Sequence, residues 1–179
     1  MKKQLSHALR KIKLFATDVD GVLTDGGMYY GENGSEMKKF STRDGMGISL
    51  LHKAEIHVVI ITSEKTVIVE NRAKKLKIQY LYQGITNKLD VMNELRKKLR
   101  LGWDEIAYIG DDINDLPLLS IVGFSAVPLD GMDINKETAM YISHCKGGEG
   151  CVRDVCDKIL KAQDKYKKIV SSIYSFKTK

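Results

Sequence analysis

Proline is nearly absent from this chain: Pro117 and Pro128 are the two it holds, and no Pro- or Ser-rich stretch divides it. A hinge between domains therefore has no sequence signal. The 179 residues, 43% of them apolar, suit one well-buried domain better than two undersized ones. Cysteine is scarce too. Cys145, Cys151 and Cys156 are odd in number and lack C-x-x-C spacing, so reduced thiols in a cytoplasmic protein are the simplest account. No apolar run approaches the length that crosses a bilayer. The opening stretch, MKKQLSHALRKIKLFATDVD, is basic but has only a three-residue apolar run before polar and acidic residues intervene, so no secretory signal is expected. Internal repeats and low-complexity segments are absent as well.

The formal net charge of +6 has a local origin, because Lys158 to Lys179 carries seven lysines against Asp164 while the remainder is neutral. The aromatics among these lysines, Tyr166, Tyr174 and Phe176, do not make the regular interleaving that single-stranded nucleic acids prefer. The expectation is a solvated or subunit-contacting tail, with neither nucleic acid nor membrane as partner.

Short apolar runs alternate with helical patterns. KLFATDV, HVVIITS, QYLYQG, EIAYIGDD and GFSAVP read as strands, and GMGISLLHKA, KTVIVENRAKKLK, KLDVMNELRKKLR and NDLPLLSIV read as helices. A last helix is expected over about Gly150 to Lys168, with Val152, Val155, Ile159 and Ala162 on its apolar face. Such alternation predicts an α/β fold with a mostly parallel sheet and helices on both faces. GGMYYGENGSEMKKFSTRDG interrupts it and reads as a protruding β-hairpin, about residues 27–42, turning at Glu32-Asn33-Gly34. It would expose an edge together with Met28, Tyr29, Tyr30 and Phe40, and pairing with copies of itself would cover that edge. The expected division is an N-terminal extension at 1–12, one domain at 13–168 and a basic tail at 169–179.

Acids gather where strands should end. In DVDGV, Asp18 and Asp20 would share a face, roughly 6–7 Å apart, if the strand continues through both. Two such anions repel unless a cation lies between them, and hard carboxylate oxygens suit Mg²⁺. Taken alone, D-x-D-G also fits a turn. In YIGDDINDLP, Asp111 and Asp112 follow another apolar run, with Asp115 further on; Asp112 could simply cap a helix, with Asp115 a first-turn acid that the helix dipole favours. In an open α/β sheet, ligands bind beyond the carboxyl ends of the strands, which is where both clusters fall. Thr62 and Ser63 end a third strand and enter a helix, a place suited to phosphate as well as to capping. Lys88 would stand in a first helical turn, where the dipole disfavours a cation unless an anion compensates. Together the parts suit phosphoryl transfer through an aspartate.

The order D-V-D-G-V, I-T-S, Lys88 and G-D-D-x-x-D resembles the haloacid dehalogenase superfamily of aspartate-based phosphatases. The resemblance implies Asp18 as nucleophile and Asp20 as acid/base, with Thr62, or less readily Ser63, and Lys88 on the phosphate. It implies Mg²⁺ on Asp18, Asp111 and the Asp20 backbone carbonyl, with Asp112 and Asp115 orienting the site. DVDGVLTDGGMYY, KKFSTRDGMGI, LYQGITNKLDV, AYIGDDINDLPLL and CKGGEGCVRDVCDKIL, spanning nearly Lys13 to Gln163, are similar to the subfamily acting on 3-deoxy-2-keto sugar acids. Its members are 3-deoxy-D-manno-octulosonate 8-phosphate phosphatases and nine-carbon, sialic-acid-type relatives, which serve lipopolysaccharide or sialic-acid-type sugar biosynthesis. Implied with it are no cap domain and a homotetramer built around the hairpin. Something must still shield the phosphoaspartate from water, and a neighbouring subunit is expected to do so, with the tail after Gly150 and the loop KGGEG as contributors. Octulosonate enzymes of this group read G-R after the second-motif threonine, whereas this chain reads TSEKT. Glu64 with Lys75 resembles the nine-carbon pattern and favours that substrate, with Arg72 left to pair with the substrate carboxylate; the eight-carbon activity stays open. A charged helix face would also account for these three residues. Two other classes remain: a response-regulator receiver domain, and a silent assembly module like those appended to sialic-acid activating enzymes.

Overall fold

A computed structural model describes residues 2–174 of the chain. Six parallel strands make the main sheet: β1 (Leu14–Thr17), β4 (His57–Ile61), β5 (Tyr80–Tyr82), β6 (Ile106–Ile109), β7 (Phe124–Val127) and β8 (Tyr141–Ile142). Their spatial order is β5-β4-β1-β6-β7-β8. Counted along the chain this is 3-2-1-4-5-6, the doubly wound order, whose reversal falls between β1 and β6. Receiver domains are wound 2-1-3-4-5, so that reading is set aside.

Alternate side chains of each strand feed two cores, as sheet pleating requires. On one face Phe15, Val58, Ile60, Ala107 and Phe124 pack beneath α1 (Lys2–Lys11), α2 (Thr42–Lys53), α3 (Val67–Lys75) and α7 (Cys151–Ala162). On the other, Leu14, Ala16, Val59, Ile61 and Tyr108 pack beneath α4 (Lys88–Leu99) and α5 (Leu116–Leu119). Local chemistry sets the helix starts: the side chains of Ser41, Thr66 and Asn87 accept the first free amides of α2, α3 and α4.

Several expectations are corrected. Most of the expected extension forms α1, whose Leu9 is 5% exposed and is followed by Ile12, 2% exposed, both within the core. The helix over 150–168 is two helices. Gln163 donates its side-chain amide to the carbonyls of Leu9 and Ile12, and Asp164 takes φ 56°, which turns the chain into α8 (Tyr166–Tyr174). Residues from 151 thus begin a core helix rather than a tail. The tail expected at 169–179 starts inside α8, and its residues 175–179 lie outside the described residues. The NDLPLLSIV helix shrinks to a 3-10 turn at Ile113–Asp115 and the single turn of α5. α6 (Asp133–Thr138) and β8 were not anticipated; both are too short to show a period.

The hairpin forms from β2 (Tyr29–Tyr30) and β3 (Glu36–Met37), with Tyr30 69% and Met37 60% exposed. Phe40 departs from the expected exposed edge: it packs against the core, and the Arg72 guanidinium lies 5.2 Å above its ring. Among the described residues no helix is long and apolar enough to cross a membrane. Truncating Ile159, fully buried on α7, to alanine is expected to cost about 2–5 kcal/mol in urea unfolding, whereas Ile113→Ala, at 63% exposure, should stay within about 0.5 kcal/mol.

Candidate active site

Three neighbouring strand ends supply the site. Asp18 directly follows β1, Thr62 directly follows β4, and Asp111 lies two residues past β6. They open onto a pocket of about 530 Å³ that Asp20, Ser63, Glu64 and Asp112 also line. The expected continuation of β1 through Asp20 does not occur, because the strand ends at Thr17. A tight turn carries Asp20 to the pocket instead, with the amides of Val22 and Thr24 both donating to the Val19 carbonyl. Gly21 makes that turn possible. Its φ is +74°, and a β-carbon there would stand 2.0 Å from the Asp111 carboxylate, so only glycine lets the two acidic segments meet.

Beneath the pocket lies a buried ion cluster. Lys88, the first residue of α4 and 2% exposed, donates to Asp18 Oδ2 at 2.5 Å and to Asp115 Oδ1 at 2.6 Å. The anions that offset the helix dipole are thus the chain's own carboxylates. Asp115 is fully engaged: Tyr108 Oη also donates to Oδ1, while the amides of Asp111 and Asp112 donate to Oδ2 at 2.8 and 3.3 Å. Gly110 admits this arrangement, since a β-carbon there would sit 2.4 Å from the Asp115 carboxyl carbon. Asp112 does cap the 3-10 turn, accepting from the Ile113 amide at 2.7 Å. The capping role and the site role therefore coexist. Oxygens of Asp18, Asp111 and Asp115 come within 4.8 Å of one another. With Asp115 saturated by the chain, Asp18 and Asp111 are the carboxylates left for a hard divalent cation, and such a cation fits this donor set.

Charge crowding shows in the titration of the cluster. Burial first, then the Asp115 charge, pushes Asp18 up to about 7 against the pull of Lys88. Burial, then Asp18, Asp115 and Asp112, pushes Asp111 up to about 8. Lys88 is held above its usual value because Asp18 and Asp115 outweigh the opposing effect of burial.

Other anticipated residues divide. Thr62 is 2% exposed at the pocket wall. Ser63 donates its hydroxyl to the Ile85 carbonyl and accepts from Asn114, so it is tied into the wall. Glu64 lines the pocket and accepts from Lys38 Nζ, which also donates to Asp20. Lys75 lies elsewhere, lining a cavity with His57 and Gln79 at the opposite ends of the strands. Arg72 is likewise not brought to the pocket; it donates to the Ser41 carbonyl at 2.9 Å. Lys38 and Tyr108 escaped the sequence reading. A phenol inside a wholly buried strand needs a buried acceptor, a signal that could have flagged Tyr108; Lys38, among many lysines, gave none.

These shifts predict the pH response of metal-free protein. Between the unfolded carboxylate value of 3.8 and about 8, the folded state keeps protons that the unfolded chain has released, so stability falls as pH rises. Asp44, pushed by burial to about 6, contributes to the lower part of that window. In EDTA the melting temperature should drop from pH 5 to pH 8, Asp111→Asn should flatten the drop between 6 and 8, and added Mg²⁺ should stabilise most at pH 8. A melting temperature that climbs with pH in EDTA would contradict the cluster as described.

Comparison with known proteins agrees with this geometry. The family described as haloacid dehalogenase-like hydrolase matches residues 80–153. A 3-deoxy-D-manno-octulosonate 8-phosphate phosphatase of Salmonella typhi is 44% identical over 163 residues, covering 89% of this chain and 87% of that protein. One of Yersinia pestis is 45% identical over 154 residues, covering 86% and 82%. Among solved structures, the Moraxella catarrhalis 3-deoxy-D-manno-octulosonate 8-phosphate phosphatase, in complex with magnesium ion, phosphate ion and KDO, superposes with a TM-score of 0.94. It is 37% identical, over 97% of this chain and 99% of that one. The Yersinia pestis enzyme superposes with a TM-score of 0.90 at 42% identity, over 92% and 89%. A single chain that joins Asp18, Lys88 and Asp111 at the reversal of a 3-2-1-4-5-6 sheet, and that shares this much sequence with those enzymes, belongs to the 3-deoxy-D-manno-octulosonate 8-phosphate phosphatase family of haloacid dehalogenase-like hydrolases.

Proposed function

We propose that this protein is a Mg²⁺-dependent phosphatase that removes the terminal phosphate of 3-deoxy-D-manno-octulosonate 8-phosphate in lipopolysaccharide biosynthesis, with Asp18 as nucleophile. The observation that carries this reading is the buried Lys88–Asp18 contact at the floor of a pocket that Asp20 also lines. Lys88 keeps Asp18 oriented and supplies fixed positive charge for the phosphate oxygens. Asp18 attacks phosphorus, the bond to the sugar oxygen breaks, and the proton on Asp20 passes to the departing alkoxide. Water then attacks the phosphoaspartate, Asp20 takes the water proton, and the phosphorus–oxygen bond to Asp18 breaks, releasing phosphate. Thr62 contributes hydrogen bonding to the phosphate, and Asp115 with Asp112 keeps the cluster in place. Asp18 and Asp111, with the Asp20 backbone carbonyl, would hold Mg²⁺, which when bound would supply charge to offset repulsion between the nucleophile and the phosphate.

Eight carbons are favoured over nine. The Salmonella typhi, Yersinia pestis and Moraxella catarrhalis relatives are named as phosphatases of the octulosonate ester. The residue-level reason for nine carbons also weakens, since Lys75 and Glu64 line different cavities of the chain. A silent module has no support in a site that keeps Asp18, Asp20, Asp111 and Lys88 together.

The proposal extends to assembly as a homotetramer through the hairpin. A two-stranded ribbon with Met28, Tyr30 and Met37 exposed is marginal alone, and burial against other copies would stabilise it. The KGGEG loop already packs at the pocket side, Gly148 donating to the Val22 carbonyl, so it and a neighbouring subunit would keep water from the intermediate. Three free cysteines suit a cytoplasmic setting.

Purified protein with Mg²⁺ should release phosphate from the octulosonate ester with a higher kcat/KM than from the nine-carbon ester. Asp18→Asn should lower that rate by at least about a thousandfold, and EDTA should abolish it reversibly. Undiminished phosphate release by Asp18→Asn would overturn the nucleophile assignment.

A further inference from the structure

We propose that Lys38 is a positioning residue for Asp20: reaching from the hairpin, it ties the acid/base carboxylate to Glu64 and fixes which oxygen faces the substrate. The inference rests on the phosphatase reading above and concerns the same pocket. Lys38 lies one residue past β3, and its Nζ donates to Asp20 Oδ1 at 2.7 Å and to Glu64 Oε2 at 2.5 Å. A third acid, Glu36, turns Oε1 towards the same ammonium at 3.8 Å, and that oxygen is buried without a hydrogen-bond partner.

Burial separates the members of this group. The Lys38 side chain is fully enclosed, whereas those of Asp20 and Glu64 are 34% and 36% exposed. A carboxylate on a turn with a third of its surface open has several rotamers available. Beyond Lys38, the restraint on Asp20 is the Thr24 hydroxyl, also on Oδ1, at 3.2 Å. The charge-assisted bond from Lys38 therefore does most to hold Oδ1, which leaves Oδ2 as the oxygen available for proton transfer. An ammonium suits the task because its compact head donates to Asp20 and Glu64 at once with Glu36 close by, whereas the larger planar guanidinium would fit the same enclosure less well.

Glu64 acquires a role within the chain by the same geometry. It balances Lys38, so that the ammonium is shared between two carboxylates rather than locked to Asp20 alone. The hairpin is thereby fastened to the pocket mouth by a contact 26 residues long in sequence, Lys38 to Glu64. Contacts made elsewhere on β2 and β3 are in this way mechanically linked to the acid/base.

The test exploits leaving groups. An alkyl phosphate such as the octulosonate ester needs its alkoxide protonated, whereas 4-nitrophenolate leaves without help. Lys38→Met should lower kcat on the alkyl ester by about 10–100-fold with KM within about twofold. The burst rate of phosphoenzyme formation from 4-nitrophenyl phosphate should fall less than about threefold. Lys38→Arg should recover part of the alkyl rate, and Glu64→Gln should show the same alkyl-selective loss in weaker form, which keeps the test open if Lys38→Met misfolds. Equal losses on both esters would mark Lys38 as merely structural, and no loss on either would remove its role; both outcomes overturn the proposal. Should the wild type reject octulosonate 8-phosphate yet accept another alkyl phosphate, the substrate assignment fails while the alkyl-versus-aryl contrast still decides. A wild type inactive on every phosphate monoester overturns the phosphatase reading and this inference together.

Discussion

The buried Lys88 ammonium, shared between Asp18 and Asp115 where the sheet order reverses, is the interaction on which the rest depends. Removing one partner from a buried ion pair leaves an uncompensated charge, a loss of about 3–5 kcal/mol. Here the partners come from three separate parts of the chain: the end of β1, the start of α4 and the turn after β6. The contact thus welds together the elements that define the pocket floor. It also explains a local oddity, a lysine at the position of a helix that most disfavours one.

Constraint decreases from floor to mouth. Asp115 has both oxygens engaged, and Tyr108 is locked against it. Asp18 is held by Lys88 and by the Val19 amide yet still borders the pocket. Asp20, further out, sits on a turn and is steadied from the hairpin by Lys38. This gradient suits the proposed division of labour: an attacking oxygen on Asp18 would need fixed placement, while a group on Asp20 that exchanges a proton first with an alkoxide and then with water would need access to both.

The amino-acid sequence displays most of this layout, for identifiable reasons. Long apolar runs such as HVVIITS and EIAYIGDD carry enough pattern to mark strands, and the acids that follow them mark the ligand-binding ends. Lys88 is legible because it contradicts helix electrostatics. What stays hidden depends on tertiary contact. Two-residue β8 has no measurable period, the break at Gln163 arises from capping α1 across the fold, and Lys38 meets Asp20 only once the hairpin has folded back. Arg72 and Lys75 show the converse: their charges suit a sugar acid, but the α3 face directs them to Ser41 and to a distant cavity.

Direct capture of the covalent intermediate tests the central claim best. Rapid quenching during turnover, reduction of the acyl phosphate with borohydride and peptide mapping should place homoserine at position 18. Homoserine at position 20 or 111, or no reducible acyl phosphate while phosphate is being released at full rate, would contradict the account.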